Sequence, residues 1–303
     1  KRALVLAAAG SLALGLFGMI AVMALYKARV DVSDGLRLQL AGMKLNFLNF
    51  VALPISIGAF DDDAAYAALN VEGTRRLCAA ARAAGVRRFV FASSVSVFAE
   101  SDGRIEEDQT PAPSSAYGRS KLAGEEVVRA GPLPWVILRP PMVYGPRDTE
   151  VLRLFRLARW GVAPVFGRGD QELSAIFGPA LAEALIAAGT SPHTVGKTYL
   201  PCHPEIFTSG ALARQIGTAV GRDVLVLSVP EVIGRGLLAA IGGAAKLTGT
   251  ASVLSSEKAD EFFEPAWTGD PSSLMADTGW RPATDLAKGL AETSAWYRAE
   301  KWI

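Results

Sequence analysis

The sequence predicts an α/β fold, a doubly wound parallel sheet joined to a smaller C-terminal region, and three observations predict it. Strand-like runs at 3–7, 45–53, 86–94, 133–139 and 197–202 alternate with helical stretches at 61–84 and 114–130, the order that builds a parallel sheet covered on both faces. Residues 86–98, VRRFVFASSVSVF, form an apolar, β-branched run closing in two serines, as a strand buried on both sides requires. The 303 residues, half of them hydrophobic, can bury a large core and hold one large domain or a domain and a half.

The elements follow in order. Residues 3–26 carry no charge and are flanked by Lys1, Arg2, Lys27 and Arg29. About 18 or more such residues make a membrane-span candidate. A strand, turn and helix is the preferred reading, because a span would cost the sheet its first, central strand. No A-x-A-like site marks a signal peptide. The alanine-rich helix from Asp61 carries Asn70 near its middle. The polar loop IEEDQTPAPSS follows the 86–98 run and suits a surface connection. The helix SAYGRSKLAGEEVVRA and the strand WVILRPPMVYGPRD come next. Beyond Pro146 the text becomes richer in Gly, Pro, Trp and charged helix. The division expected is 1–146 plus about 177–204 for the sheet domain, and 147–176 plus 205–303 for the cap. Residues 231–249 read as an apolar, glycine-containing helix. Core or interface is the usual place for such a helix, and membrane-surface contact the lesser alternative. There is no internal repeat and no low-complexity tract.

Composition excludes several classes. A formal net charge of +1 leaves no electrostatic footprint for nucleic acid. Cys78 and Cys202 stand apart without a CxxC pattern, which suits free thiols in a reducing compartment. His193 and His203 are the two histidines, so neither a zinc site nor a Ser-His-Asp triad is expected. His203 falls in a loop, at most as a substrate-side contact. No metal is expected.

The chemistry lies elsewhere. Tyr117 and Lys121 stand four apart at the start of a helix, twenty-three residues beyond Ser94. Positions i and i+4 share one helix face, so a phenol and an ammonium can meet one ligand. A nearby cation favours the phenolate, which lets a tyrosine exchange a proton as a base. Ser94 would hold the substrate oxygen while Tyr117 exchanges its proton.

These residues, with NVEGT at Asn70–Thr74, LRPPMVYGP at Leu138–Pro146 and the tail DPSSLMADTGWRPATDLAKGLAETSAWYR, resemble the extended short-chain dehydrogenase/reductase superfamily. That group includes nucleotide-sugar epimerases and dehydratases and 3β-hydroxysteroid dehydrogenases. The likeness runs from about Asp31 to Ile303 and implies a Rossmann-type doubly wound sheet with a smaller substrate-binding region. It implies Ser94, Tyr117 and Lys121 as catalytic residues, and Ser93, Tyr117 and Lys121 beside the cofactor. It further implies that Asn70 organises the active-site backbone, that Asp31 and Val32 contact adenine, and that Ala52 and Leu53 line the cofactor. Pro140, Met142 and Val143 would close over nicotinamide.

The glycine-rich turn that would cradle pyrophosphate is degraded. A Cβ blocks backbone approach to phosphate there, so glycines are needed. One register uses Ala7, Gly10 and Ala13; the preferred one uses Gly15 and Gly18, with Gly10 also near the phosphates. Only KARV separates the first helix from DVSD at Asp31–Asp34, so a chain break or an abnormally short connection is expected near 26–31. The residue choosing between NAD and NADP is absent, and both stay open. On the substrate side, FGPALAEALIAA at Phe177–Ala188 replaces the acids usual before that helix with Pro179 and Ala180. Pro179 still suits a first helical turn.

The function expected is an NAD(P)-dependent oxidoreductase of a secondary alcohol or ketone, hydroxysteroid dehydrogenase-like. The alternative is a nucleotide-sugar epimerase or dehydratase. A further alternative is a non-catalytic cofactor-binding or membrane-associated subunit. Arg147, Arg153, Arg156 and Arg168 are candidates for a diphosphate. The expected partners are a small-molecule substrate and, through helices 61–84 and 114–130, a second copy in a homodimer. The expected location is cytoplasmic, with membrane association through residues 3–26 as the alternative.

Overall fold

The computed structural model describes residues 50–53, 66–98, 104–248 and 262–303. Gly10, Gly15, Gly18, Asp31, Val32, the connection near 26–31 and the uncharged segment 3–26 lie outside the described residues. The described elements, numbered in chain order, begin with β1 (Phe50–Leu53), a π-helical stretch (Ala67–Glu72) running into α1 (Gly73–Ala83), β2 (Arg88–Ala92), α2 (Ala116–Arg129) and β3 (Trp135–Leu138). Then come β4 (Met142–Tyr144), α3 (Leu152–Arg159), β5 (Val162–Phe166), β6 (Glu172–Leu173), β7 (Ala175–Phe177), α4 (Gly178–Thr190) and β8 (Lys197–Tyr199). The chain continues through β9 (Phe207–Thr208), α5 (Ser209–Val220), β10 (Leu225–Val229), α6 (Glu231–Thr248), β11 (Ala266–Trp267), α7 (Ser272–Thr278) and α8 (Leu286–Ala299).

The main sheet has the order β1-β2-β3-β8 and is parallel throughout. Strands β2 and β3 are apolar on both faces because both faces are covered. Phe89, Phe91 and Ile137 point to one side, where they pack with Cys78, Ala81 and Val128 of α1 and α2. Val90, Ala92, Val136 and Leu138 point to the other, against Ala180, Leu181, Ala184 and Leu185 of α4. This period-2 division of an unbroken apolar run is what a central parallel strand demands. Each buried Phe or Leu contributes about 1.5–3 kcal/mol relative to exposure. The helix β2–α2–β3 passes through is the crossover that parallel neighbours need.

The sequence-derived runs 86–94, 133–139 and 197–202 are each longer than the strands found there; the run 3–7 and the first part of 45–53 lie outside the described residues. Residues 86–94 give β2 over Arg88–Ala92, and the two serines leave the ladder. Ser94, in extended conformation, caps the 3₁₀ turn Val95–Val97 by accepting from the Ser96 amide at 3.1 Å. Helix 114–130 is α2, capped by Ser115, whose hydroxyl accepts from the Gly118 amide at 3.2 Å. Pro179 sits in the first turn of α4, as expected. Beyond the main sheet, β4 pairs with β7, β10 with β5, and β11-β6-β9 form a small mixed sheet. Among the described residues no helix is long and apolar enough to cross a membrane.

Candidate active site

Parallel strands direct their C-terminal ends towards one edge of the sheet, and ligands of such folds bind in the crevice there. Ser93 and Ser94 follow β2 at that edge, Pro140 follows β3, and the register sets Ala52 and Leu53 beside Val90 and Phe91. Met142 and Val143 stand on β4, both half-buried. The Val95 amide donates to the Pro140 carbonyl at 3.2 Å, which ties the serine turn to the segment after β3.

Helix α2 is pressed onto this edge at two glycines. A Cβ on Gly118 would stand 1.9 Å from the Ser96 carbonyl oxygen, and one on Gly124 would stand 2.8 Å from the Phe91 ring. No side chain fits either place, so α2 lies against the Ser94 turn in its first turn and against the sheet in its third. Tyr117 and Lys121 flank Gly118 and are carried to that edge with it. The Lys121 ammonium is 1% exposed and donates to the Ala92 carbonyl at 2.7 Å. It lies 5.4 Å from the centre of the Phe91 ring and 5.7 Å from that of Tyr117. Tyr117 is half-buried, its ring 5.9 Å from that of Tyr66.

Burial pushes the Lys121 ammonium down to about 7, because a desolvated charge is disfavoured; the Glu125 carboxylate one turn away opposes the shift. Glu125 is itself fully buried and takes a two-pronged ion pair from Arg139, at 2.9 and 2.7 Å. Arg129 approaches the same carboxylate at 3.1 Å. Arg139 ends the segment of β3 just before Pro140, so this buried pair fastens α2 to the sheet beneath Lys121. Asn70 is also fully buried. Its amide donates to the Ser120 hydroxyl at 2.8 Å, which donates to the Tyr117 carbonyl at 2.7 Å. Thr74 in turn donates to the Asn70 carbonyl at 2.6 Å.

The polar atoms left over suit a hydroxyl-rich ligand. Lys121 has three N–H donors and uses one. Among the described residues, the buried Ser93 hydroxyl and the Asn70 side-chain carbonyl have no hydrogen-bond partner, an arrangement that a buried polar group ordinarily avoids. A spare ammonium and a spare hydroxyl at the strand ends fit the ribose of a dinucleotide. The structure thus brings Ser93, Ser94, Asn70, Tyr117, Lys121 and Pro140 to one edge. Among the described residues, no group of His, Cys, Asp and Glu is placed to hold a metal ion.

Three features of the site escaped the sequence reading. Gly118 and Gly124 were visible only as small residues on the tyrosine helix; six positions apart, they do not share a face, and no periodic signal singled them out. The Glu125–Arg139 pair was visible as an acid four residues after Lys121 and a basic residue before Pro140. Ser120 carried no signal beyond its place between Tyr117 and Lys121. Of the four arginines considered for a diphosphate, Arg147 stands in the turn after β4, Arg153 and Arg156 lie on α3, and Arg168 lies in the turn after β5.

A parallel α/β sheet with a buried lysine and a tyrosine beside a serine turn defines a dinucleotide-binding class of enzyme. Comparison with known proteins makes this specific. Residues 48–200 match the model of the "NAD dependent epimerase/dehydratase family". The chain belongs to that family, and is an enzyme of its kind. It is 33% identical over 239 residues to the ceramide reductase of Caulobacter vibrioides, covering 78% of this chain and 69% of that protein. It is 29% identical over 247 residues to the uncharacterized UDP-glucose epimerase YtcB of Bacillus subtilis, covering 76% of this chain and 67% of that protein. Its fold is similar to that of UDP-glucuronic acid 4-epimerase from Bacillus cereus in complex with UDP-glucuronic acid and NAD. That likeness has a TM-score of 0.68 at 18% identity, over 95% of this chain and 98% of that one. The hydroxysteroid-dehydrogenase reading finds less support in these matches than its nucleotide-sugar alternative.

Proposed function

We propose that this chain uses NAD to oxidise and re-reduce a secondary alcohol carbon of a nucleotide sugar, as an epimerase or dehydratase. The observation that carries the reading is the close seating of α2, through Gly118, which brings Tyr117 and buried Lys121 to the Ser94 turn. The family match and the likeness to nucleotide-sugar epimerases support the substrate class.

In this reading the Ser94 hydroxyl holds the substrate oxygen and the Tyr117 phenol takes or returns its proton. Lys121 holds a ribose hydroxyl and, when charged, favours the phenolate. Ser93 and Asn70 supply the further polar contacts, while Ala52, Leu53, Pro140, Met142 and Val143 wall the crevice. NAD, when bound, supplies the hydride acceptor and donor. Gly10, Gly15, Gly18, Asp31 and Val32 belong to the same proposal as its phosphate and adenine contacts. The cap would be residues 147–176 and 205–303, and the copy-to-copy contact would use α1 and α2 in a homodimer, which solution mass tests.

A second reading is a lipid ketone reductase. It is favoured by the 33% identity to a ceramide reductase and by the outward apolar residues of α6. The full chain with NAD is offered UDP-glucose and UDP-glucuronic acid, with the C4 epimer followed by proton NMR, and separately NADH or NADPH with a long-chain 3-keto lipid. The first reading expects epimer formation that Tyr117→Phe reduces by about 10²–10⁴-fold. Lipid reduction without epimer formation would install the second reading in its place.

A further inference from the structure

The largest exposed apolar residues are not scattered. Strands β5 and β10 form a two-stranded parallel ribbon in which Leu225 pairs with Val162 and Leu227 with Pro164. Ala163, Val165 and Val226 cover one face of the ribbon by packing with Ala213 of α5. Residues alternate across a strand, so Leu225 and Leu227 present the opposite face, where they are 64% and 42% exposed. Phe166 closes that same face at the far end, and α6 sits on it: a Cβ on Gly234 would meet the Phe166 and Phe263 rings at 3.0 and 2.6 Å. Gly234 and fully buried Leu238 are thus the inward side of α6. Val232, Ile233 and Leu237 are its outward side and remain exposed, Val232 at 86%. Over Glu231–Ala240, α6 is therefore apolar on the side a surface helix normally gives to charge.

Trp160, 85% exposed, stands in the turn that feeds β5, one residue from Gly161, whose carbonyl accepts from the Leu225 amide at 2.8 Å. Arg159 precedes it, and Arg222 sits in the turn that leads to Leu225. Both arginines are exposed, and neither has a carboxylate partner among the described residues. Asp223 is the one acid of that turn.

We infer that this face docks on an anionic lipid surface. Exposed leucine, valine and isoleucine side chains provide the buried area, tryptophan suits the boundary between headgroup and acyl chain, and unpaired arginines meet the negative surface. Charge favours this occupant over a second copy of the chain: Glu231 on α6 is already paired with Arg235 at 2.8 Å, which leaves Asp223, among the described residues, as the one acid on this surface to answer Arg159 and Arg222. The inference stands apart from the choice of substrate, though a lipid-borne substrate would give the surface an evident use.

The test is co-sedimentation of the full-length chain with vesicles of phosphatidylcholine alone and of phosphatidylcholine with one-third phosphatidylglycerol. The variants are Trp160→Ser, Ile233→Ser/Leu237→Ser and Arg159→Gln/Arg222→Gln. All change exposed side chains, and far-UV circular dichroism checks that they fold. Binding is expected to the anionic vesicles, weaker with added salt, and reduced about tenfold or more by the arginine double variant. Absence of binding to anionic vesicles, or binding that none of the variants weakens, overturns the inference. So does a variant set that changes solution mass and leaves vesicle binding untouched, which would assign the face to a second copy. Epimerase or reductase activity on soluble substrate is read in parallel, so failure of the docking face and failure of the functional reading remain distinguishable.

Discussion

The edge of the main sheet and the β5–β10 ribbon with α6 treat charge in opposite ways. At the sheet edge, Lys121, Glu125 and Arg139 are withdrawn from water and surrounded by Phe91 and Phe98. At the ribbon, leucine, valine and tryptophan face water while arginines stand free beside them. Both arrangements cost free energy in an isolated soluble chain. Burying charge costs several kcal/mol per ion before pairing, and exposing a large apolar side chain forgoes about 1.5–3 kcal/mol. The first cost is offset internally, by an ion pair and a hydrogen bond. The second has no internal offset among the described residues, which is why the edge reads as a site made for chemistry and the ribbon as a surface made for a partner.

The sharpest way to break the comparison is to unpair the buried charge. Arg139→Leu leaves the Glu125 carboxylate buried with only Arg129, which is one-third exposed, at 3.1 Å. A loss of about 3–5 kcal/mol in unfolding free energy is expected, measured by urea denaturation. Arg139→Leu/Glu125→Leu should recover most of it, because replacing both partners removes the stranded charge. If the single variant is as stable as the parent, the pair does not fasten α2 to β3.

Next in size is Gly118→Ala. The added Cβ collides with the Ser96 carbonyl at 1.9 Å, and backbone at that contact cannot give way cheaply. Helix α2 must lift from the Ser94 turn and carry Tyr117 with it. A displacement on the order of 1 Å at a reacting group costs about 10²-fold in rate, so kcat should fall by about that factor. Gly85→Ala, at a turn glycine with open space around the added carbon but a φ of +72°, serves as the contrast, with a stability cost and unchanged kcat.

What the sequence made legible explains why these two predictions needed coordinates. The buried parallel strands β2 and β3, the two serines closing β2 and the Tyr117/Lys121 face were readable, because apolar periodicity and i,i+4 spacing are local properties. The collision at Gly118 and the pairing of Glu125 with Arg139 join residues 22 and 14 positions apart, and no local pattern reports such contacts. The apolar segment 231–249 resembles the steroid-dehydrogenase-like and isomerase-like members more than the sugar-nucleotide enzymes. That segment is indeed helical over Glu231–Thr248, but its outward apolar side concerns a surface rather than the substrate, and the family matches favour the nucleotide-sugar side. The glycine loop was the hardest part to read, and it lies outside the described residues.

A smaller and pH-dependent difference is expected at Lys121. Burial holds its folded ammonium down to about 7, against about 10.5 for an exposed lysine. Below pH 7 both folded and unfolded chains hold the proton, and the full cost of burying the charge is present. Between about 7 and 10.5 the unfolded chain holds the proton and the folded chain does not, so stability from this group rises with pH across that window. Lys121→Met should therefore be more stable than the parent at pH 6.5, with the gap narrowing by pH 9.5, in paired urea titrations. A gap that widens with pH would mean that Glu125 outweighs burial and the ammonium stays charged.

The smallest effect belongs to the ribbon. Leu225 is 64% exposed and its outer face touches no core cluster, so Leu225→Ser removes little buried area from the folded chain. A change within about 0.5 kcal/mol is expected, although the same substitution at buried Leu138 would cost several times more. The measurement is the urea midpoint, read with and without anionic vesicles. Without vesicles the midpoint should not move. With them the parent should gain stability that Leu225→Ser lacks, since a ligand stabilises only the state that binds it. A large loss of stability in the absence of vesicles would show that the leucine is packed against the chain itself, and the two regions would then differ in composition but not in kind.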